Sequence, residues 1–323
     1  MTNQTSLDKT ASWPGCNIRE VELPTISEDE LRRRSRGILL GMACGESIAG
    51  TLGFTSLALE LGESVVGRGG LEPELLLERW TRLEPATSPH PGSISAQALR
   101  LYLEGFPAEG LAEATARVVP ERSGDGPLAR ALPLAIAARQ DGALLKRWAT
   151  PSASVTHSNL TSRMATVGSC LLARDLLTRG LEESLARVAQ ALREEVPLRL
   201  SRAFRHPTSG EWPESGDDAV AVLSQAVHAL AAATDLDGVL QELENQEQPN
   251  QGALALGGGL AGAAFGIDPS SRRLGRLDHA LRRRLEELAD QLVDFESRDH
   301  AAHLAADSAP PQPARPDCGP AHG

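Results

Sequence analysis

Apolar residues recur at three- and four-residue spacing over most of the chain, the period of a helix with one buried face. The first such stretch has a clear start. Ser27-Glu28-Asp29-Glu30 has the form of a capping box, in which the serine caps an orphan N–H and Glu30 reaches back to it. The pattern continues through Leu31, Ile38, Leu39 and Met42. Period and punctuation predict further helices over Ser95 to Phe106, Leu128 to Gln140, Ser158 to Leu177, Leu181 to Glu194, Asp217 to Ala233, Ala253 to Phe265 and Leu274 to Glu296. No stretch alternates like a half-buried strand, so the expected fold is all-α. The expected organisation is a disordered N-terminal tail (1–27), one helical domain (28–297), and a disordered C-terminal tail (298–323) rich in Pro, Ala and His.

Two of these helices carry glycine at four-residue intervals. Gly37, Gly41 and Gly45 share one face near the start of the domain, and Gly258, Gly262 and Gly266 share another near its end. A glycine inside a helix costs roughly 1 kcal/mol relative to alanine. Three on one face predict that another backbone approaches closely, and the two stripes are expected to meet at the centre of the fold.

Composition narrows the function. Apolar residues make up 41%, but aromatics only 3%, so the core is built from Ala and Leu, which favours close-packed helices. The net charge of −11 argues against a nucleic-acid partner, which needs a basic face, and against an anionic membrane. The basic run Arg32-Arg33-Arg34-Ser35-Arg36 reads as a solvated helix face. Cys16, Cys44, Cys170 and Cys318 form no CxxC pair, so neither a zinc site nor a disulfide framework is expected. The opening residues lack a signal-type apolar run, and Ala253 to Ile267 is too short and glycine-rich for a comfortable span. The expected location is the cytoplasm.

Several motifs then point further. Arg34 to Phe54 reads RSRGILLGMACGESIAGTLGF, and Gly124 to Leu134 reads GDGPLARALPL. Ser154-Val155-Thr156-His157-Ser158 stands at a helix entry, and Gly210-Glu211-Trp212 forms a turn. In this order, with the closing leucine-rich helix, they resemble the ADP-ribosylglycohydrolase family over roughly residues 30 to 296. The resemblance implies an orthogonal helical bundle. It also implies two magnesium ions held by a Thr-Asp-Asp cluster and a late Asp-x-Asp-Thr cluster, with a glutamate near the opening motif linked to catalysis.

Laid on this chain, those positions fall on other chemistry. The glutamate falls on Gly53, the first cluster on Ser93-Ile94-Ser95, and the second on Pro249-Asn250-Gln251-Gly252. No metal and no cofactor is therefore expected. Remaining ligand contacts, if the cleft is kept, are Ser93, Ser95, Gly124, Asp125, Gly126 and His157; Glu46, Asp125 and His157 are the candidate acids or bases. Asp125 stands where the family has asparagine, and its charge would oppose a diphosphate. Asp217-Asp218 reads as a helix start, and Asp299, His300, His303, Cys318 and His322 as tail residues. The expected function is a non-hydrolytic pseudoenzyme that binds an ADP-ribose-like or other small molecule, or a protein partner. The alternatives are a metal-independent enzyme acting on a small molecule and a structural or assembly protein.

Overall fold

The computed structural model describes residues 26–83, 93–119, 123–192, 198–205 and 218–296. These residues form a single all-α domain without a strand; one isolated antiparallel bridge joins Gly124 to Asp218. The helices run in order α1 (Glu28–Ile48), α2 (Gly53–Arg68), α3 (Pro73–Thr81), α4 (Ser93–Leu103), α5 (Leu111–Val118), α6 (Gly126–Arg130), α7 (Pro133–Ala137) and α8 (Gly142–Ser154). They continue as α9 (Leu160–Leu176), α10 (Leu181–Ala191), α11 (Leu198–Arg205), α12 (Ala219–Ala232), α13 (Leu236–Glu244), α14 (Gln251–Phe265) and α15 (His279–Val293). No described helix is long and apolar enough to cross a membrane.

The centre is the pair α1 and α14, as the glycine stripes predict. A Cβ placed on Gly37 would lie 2.5 Å from the Gly262 carbonyl oxygen. One on Gly41, Gly45, Gly258 or Gly262 would come closer still to a backbone carbonyl of the facing helix. Backbones this close leave no room for a methyl group, which is why alanine's helix preference gives way to glycine along both faces. Gly266 lies just beyond α14 rather than in it: its φ of 70° makes it the C-cap, a conformation glycine adopts without strain. Around this pair, α15 and α2 pack against α1, while α9, α12 and α13 pack against α14.

Local chemistry sets most boundaries. Ser27 accepts from the Glu30 N–H at 3.2 Å, but the box is not reciprocal, because the Glu30 carboxylate is taken by Arg33 and Arg34. The basic run is likewise more than a solvated face. Arg36 and Arg32 reach Asp290 and Asp294 around the end of α15, while Arg33 and Arg34 donate to the Phe265 and Leu176 carbonyls. The stretch 128–140 is two short helices, because Pro133 has no N–H to continue the ladder and begins α7 instead. The stretch 274–296 divides into a 3-10 turn (Leu274–Arg276) and α15, whose start Asp278 caps. Asp218 caps α12 by accepting from Val220 and Ala221, so it serves the helix start. Cys44 and Cys170 are free thiols inside the core. Asp217, the Gly210-Glu211-Trp212 turn, both tails, Cys16 and Cys318 lie outside the described residues.

Candidate functional site

The first turns of α2, α4, α6, α12 and α14 gather at one end of the domain, and the end of α8 joins them. Helix N-termini carry unpaired N–H groups and partial positive charge, so each needs an acceptor. Glu46, near the end of α1, supplies two. Its buried carboxylate accepts from the Phe54 and Thr55 N–H groups at 2.7 and 2.8 Å, where Leu52 offers α2 no side-chain cap. Gln251 donates to the same carboxylate at 3.0 Å, and also to the Thr51 hydroxyl. Burial raises the Glu46 carboxyl above its ordinary value, against the pull of these hydrogen bonds. The geometry gives Glu46, expected as a candidate acid or base, the role of a cap on α2.

A second group centres on Arg130, fully buried on α6. It donates to the Ser95 hydroxyl at 2.8 Å, to the Thr156 hydroxyl at 2.7 Å and to the Ser152 carbonyl at 3.5 Å. Its guanidinium carbon lies 4.4 Å from the centroid of the Trp80 ring, within the range of a cation–π attraction. The indole is itself fixed by a 2.9 Å bond to the Leu57 carbonyl. The Nε of Arg130 is buried with no partner among the described residues. Burial lowers the guanidinium pKa to about 9 while the charge of Asp125 raises it, so Arg130 is a cation at neutral pH.

Thr156 passes this network on. Its hydroxyl lies 2.7 Å from His157 Nδ1. Because it accepts from Arg130, its own proton is available for Nδ1, and the tautomer that satisfies the chain has the proton on Nε2. Burial, and then the charge of Arg130, hold the imidazole well below its ordinary pKa, so it is neutral at pH 7. A Cβ on Gly124 would lie 3.0 Å from His157 Nε2 and 2.7 Å from Ile94 Cδ1. Glycine at 124 is therefore what lets Ile94, the entry to α6 and His157 close on one another. The cavity between Ile94, α5 and His157 holds about 10 Å³, roughly the least volume that admits one water.

Asp125 completes the group. It stands at the N-cap of α6, yet its side chain does not cap that helix. A Cβ on Gly252 would lie 3.0 Å from Asp125 Cγ and closer still to Oδ2. The carboxylate thus occupies the space left by the missing side chain in the first turn of α14. The loop before it is held from the other side: Gly124 bridges Asp218, and Ser123 accepts from the Ala219 N–H at 2.5 Å. Gly126 is buried at the start of a helix of only five residues.

The structure therefore brings Ser95, Gly124, Asp125, Gly126 and His157 into one cluster, with Glu46 beside it through Gln251. Ser93 begins α4, and its side chain lies outside the described residues. Sequence reading missed Arg130, Thr156 and Trp80 as members. For Arg130 a signal existed: it is the lone charge in Leu128-Ala129-Arg130-Ala131-Leu132, a setting in which an arginine is solvated only by what the fold brings to it. Nothing local distinguishes Trp80.

These residues do not fit a hard divalent cation. Magnesium dehydrates reluctantly and is held by charged oxygen ligands. The positions assigned to the four aspartates carry Ile94, Ser95, Pro249 and Gln251. Ser95 is bonded to Arg130, and Gln251 to Glu46 and Thr51. A buried guanidinium in the same cluster repels a second cation. Among the described residues, no three His, Cys, Asp or Glu side chains gather as a metal site would require. A larger groove, of about 500 Å³, opens on the flank between the end of α1, α2 and α15; Ser47, Thr51, Leu52, Ser56, Leu281 and Arg284 are among its walls.

No curated protein matches this chain. A solved structure described as an ADP-ribosylglycohydrolase-related protein complex is similar to it, with a TM-score of 0.68 and 26% identity over 83% of this chain and 99% of that one. The ADP-ribosylglycohydrolase family profile matches residues 27–301. With the same helical architecture and the same ordered motifs, the chain belongs to the ADP-ribosylglycohydrolase family.

Proposed function

We propose that this protein is a non-hydrolytic member of its family: a binding or regulatory module that works without a metal. The observation that carries this reading is how the candidate acids and bases at the converging helix starts are engaged with the protein's own groups. Glu46 caps α2, Asp125 fills the space over Gly252, and His157 is held by Thr156 beside the Arg130 cation. Each candidate acid or base already has a role inside the protein, and neutral side chains stand where metal ligands would be needed. About 10 Å³ beside His157 admits no ribose. Room for a small molecule exists instead in the flanking groove, whose volume lies within the range of ligand sites. Thr51 lines that groove and bonds Gln251, so an occupant there would touch the same network. A protein partner is the other form of this reading, and the similar solved chain is described as part of a complex.

Calorimetry with magnesium and manganese, run beside a hydrolase assay on ADP-ribosylated arginine and serine substrates, tests the proposal. The expected result is no micromolar metal binding and no release of ADP-ribose. Turnover that a chelator abolishes would overturn it. A thermal-shift screen with ADP-ribose and other nucleotides then asks whether a ligand stabilises the native state by mass action.

A further inference from the structure

We propose that the helix pair α4–α5 is a lid: it lifts from the rest of the domain as a unit while the core stays folded, and so uncovers Arg130, Thr156 and His157. Four observations meet in this pair. Among the described residues, the 2.8 Å bond from Arg130 to the Ser95 hydroxyl is the one hydrogen bond that joins it to the body, and its ion pair, Arg100 with Glu104, stays within the pair. Leu111 is the one larger apolar side chain on it that is fully buried; the other buried residues are the smaller Ser95, Ala98, Ala112 and Thr115. Leu103, Phe106 and Val118 stand exposed on it instead. Its fit to the body is incomplete as well. A cavity of about 10 Å³ remains between Ile94, Ala112 and Ala116 on its side and His157 and Asn159 on the other, and Gln97 Nε2 is buried with no partner among the described residues.

The free energy of a local opening follows the apolar surface and the bonds lost locally, not those of the whole fold. For α4–α5 both are small. The central pair differs: α14 is buried over nearly its whole length, and α1 from Gly37 to Glu46. Lifting the lid also has a compensation at Arg130. Water replaces the Ser95 hydroxyl and reaches the Nε N–H, which has no partner inside the closed protein, so part of the lost bond is recovered. A ligand reaches Arg130 and His157, both buried, only past the lifted pair. This inference goes beyond the non-hydrolytic reading. Its test reads thiol exposure rather than hydrolysis, so either can fail alone.

Labelling with iodoacetamide reads the opening. In the full chain with Cys16→Ser and Cys318→Ser, the remaining Cys44 and Cys170 are buried in the core and report global unfolding. Ala98→Cys, at a fully buried position of α4, reports the lid, and Ala112→Cys reports it from α5. Each rate is taken relative to that of the same thiol in the unfolded chain. Positions 98 and 112 should label at matching rates, about tenfold or more faster than Cys44 and Cys170. Their rates should also rise less steeply with urea, because a local opening exposes less surface. Ser95→Ala should speed both lid positions several-fold. Gly262→Ala strains the core whether the lid is open or closed, so it should speed Cys44 and Cys170 and leave positions 98 and 112 unchanged. Lid positions that label no faster than Cys170, that differ from one another, or that Gly262→Ala speeds as much as the core thiols would overturn the inference. Should a variant fail to fold, the urea dependence of Ala112→Cys decides: a slope equal to that of Cys170 would overturn it.

Discussion

Glu46 is an acid enclosed by donors, and its pH dependence follows from that. Desolvation outweighs the hydrogen bonds from Thr55, Phe54 and Gln251, so its folded pKa lies above the ordinary 4.5. A raised folded value means that the native state holds this proton more tightly than the unfolded chain does. The associated stability is fully present below the unfolded pKa and is lost as pH rises through the folded one. In Glu46→Gln the amide must turn an NH2 group toward one of the donors, which costs about 1–3 kcal/mol. The gap in unfolding free energy between the native chain and Glu46→Gln should therefore be widest near pH 4 and should narrow as pH rises. Urea titrations at several pH values measure this, and a gap that widens with pH would contradict it. His157 runs the other way. Its depressed pKa makes its contribution present above the ordinary 6.5 and lost as pH falls below it. His157→Gln should therefore lose less stability than the native chain between pH 6.5 and 5.

Helix pairing turns on the two glycine faces, and glycines elsewhere make the control. Gly41→Ala or Gly262→Ala gains roughly 1 kcal/mol of helix preference but drives a methyl group into a facing carbonyl. Overpacking of this kind costs about 1–3 kcal/mol, and here the obstacle is backbone, which cannot turn aside. Both variants should melt below the native protein. Gly67, exposed near the end of α2, has nothing within 4 Å of an added Cβ. Gly67→Ala should be neutral or up to about 1 kcal/mol stabilising. Thermal melts of the three variants test the element-level account together; a destabilised Gly67→Ala beside an unchanged Gly41→Ala would reverse it.

For the whole molecule, the question is what holds the converging helix starts in place. Arg130 ties α4, α6 and the end of α8 to one another and stacks on α3. Glu46 and Gln251 tie α1, α2 and α14. These are internal bonds, so the melting temperature should be the same in a chelator as in millimolar magnesium; a saturable rise with magnesium would reveal an ion acting as part of the fold. Ile94→Asp adds one carboxylate to a site still lacking the others. It is expected to give no magnesium-dependent turnover and to lose stability, since Ile94 packs against the Gly124 backbone and a carboxylate at this half-buried position loses that packing and part of its hydration.

The sequence by itself determined the helical class, the places of α1, α4, α9, α10, α12 and α14, the pairing of α1 with α14 and the family, but not α2, α3, α5, α8 or α13. All of these rest on period, punctuation and ordered motifs, which are local in the chain. Glycine faces at 37–45 and 258–262 are legible because an unfavourable residue repeated at helical spacing needs a reason outside its own helix. What the sequence left open lies between segments. That Glu46 caps α2, that Asp125 fills the space at Gly252 and that Arg130 stacks on Trp80 are pairings of residues 8 to 127 positions apart. No spacing rule connects them, because a charged side chain's role depends on which groups replace water around it. That replacement is decided only when five helix starts and the end of a sixth helix are brought to one place.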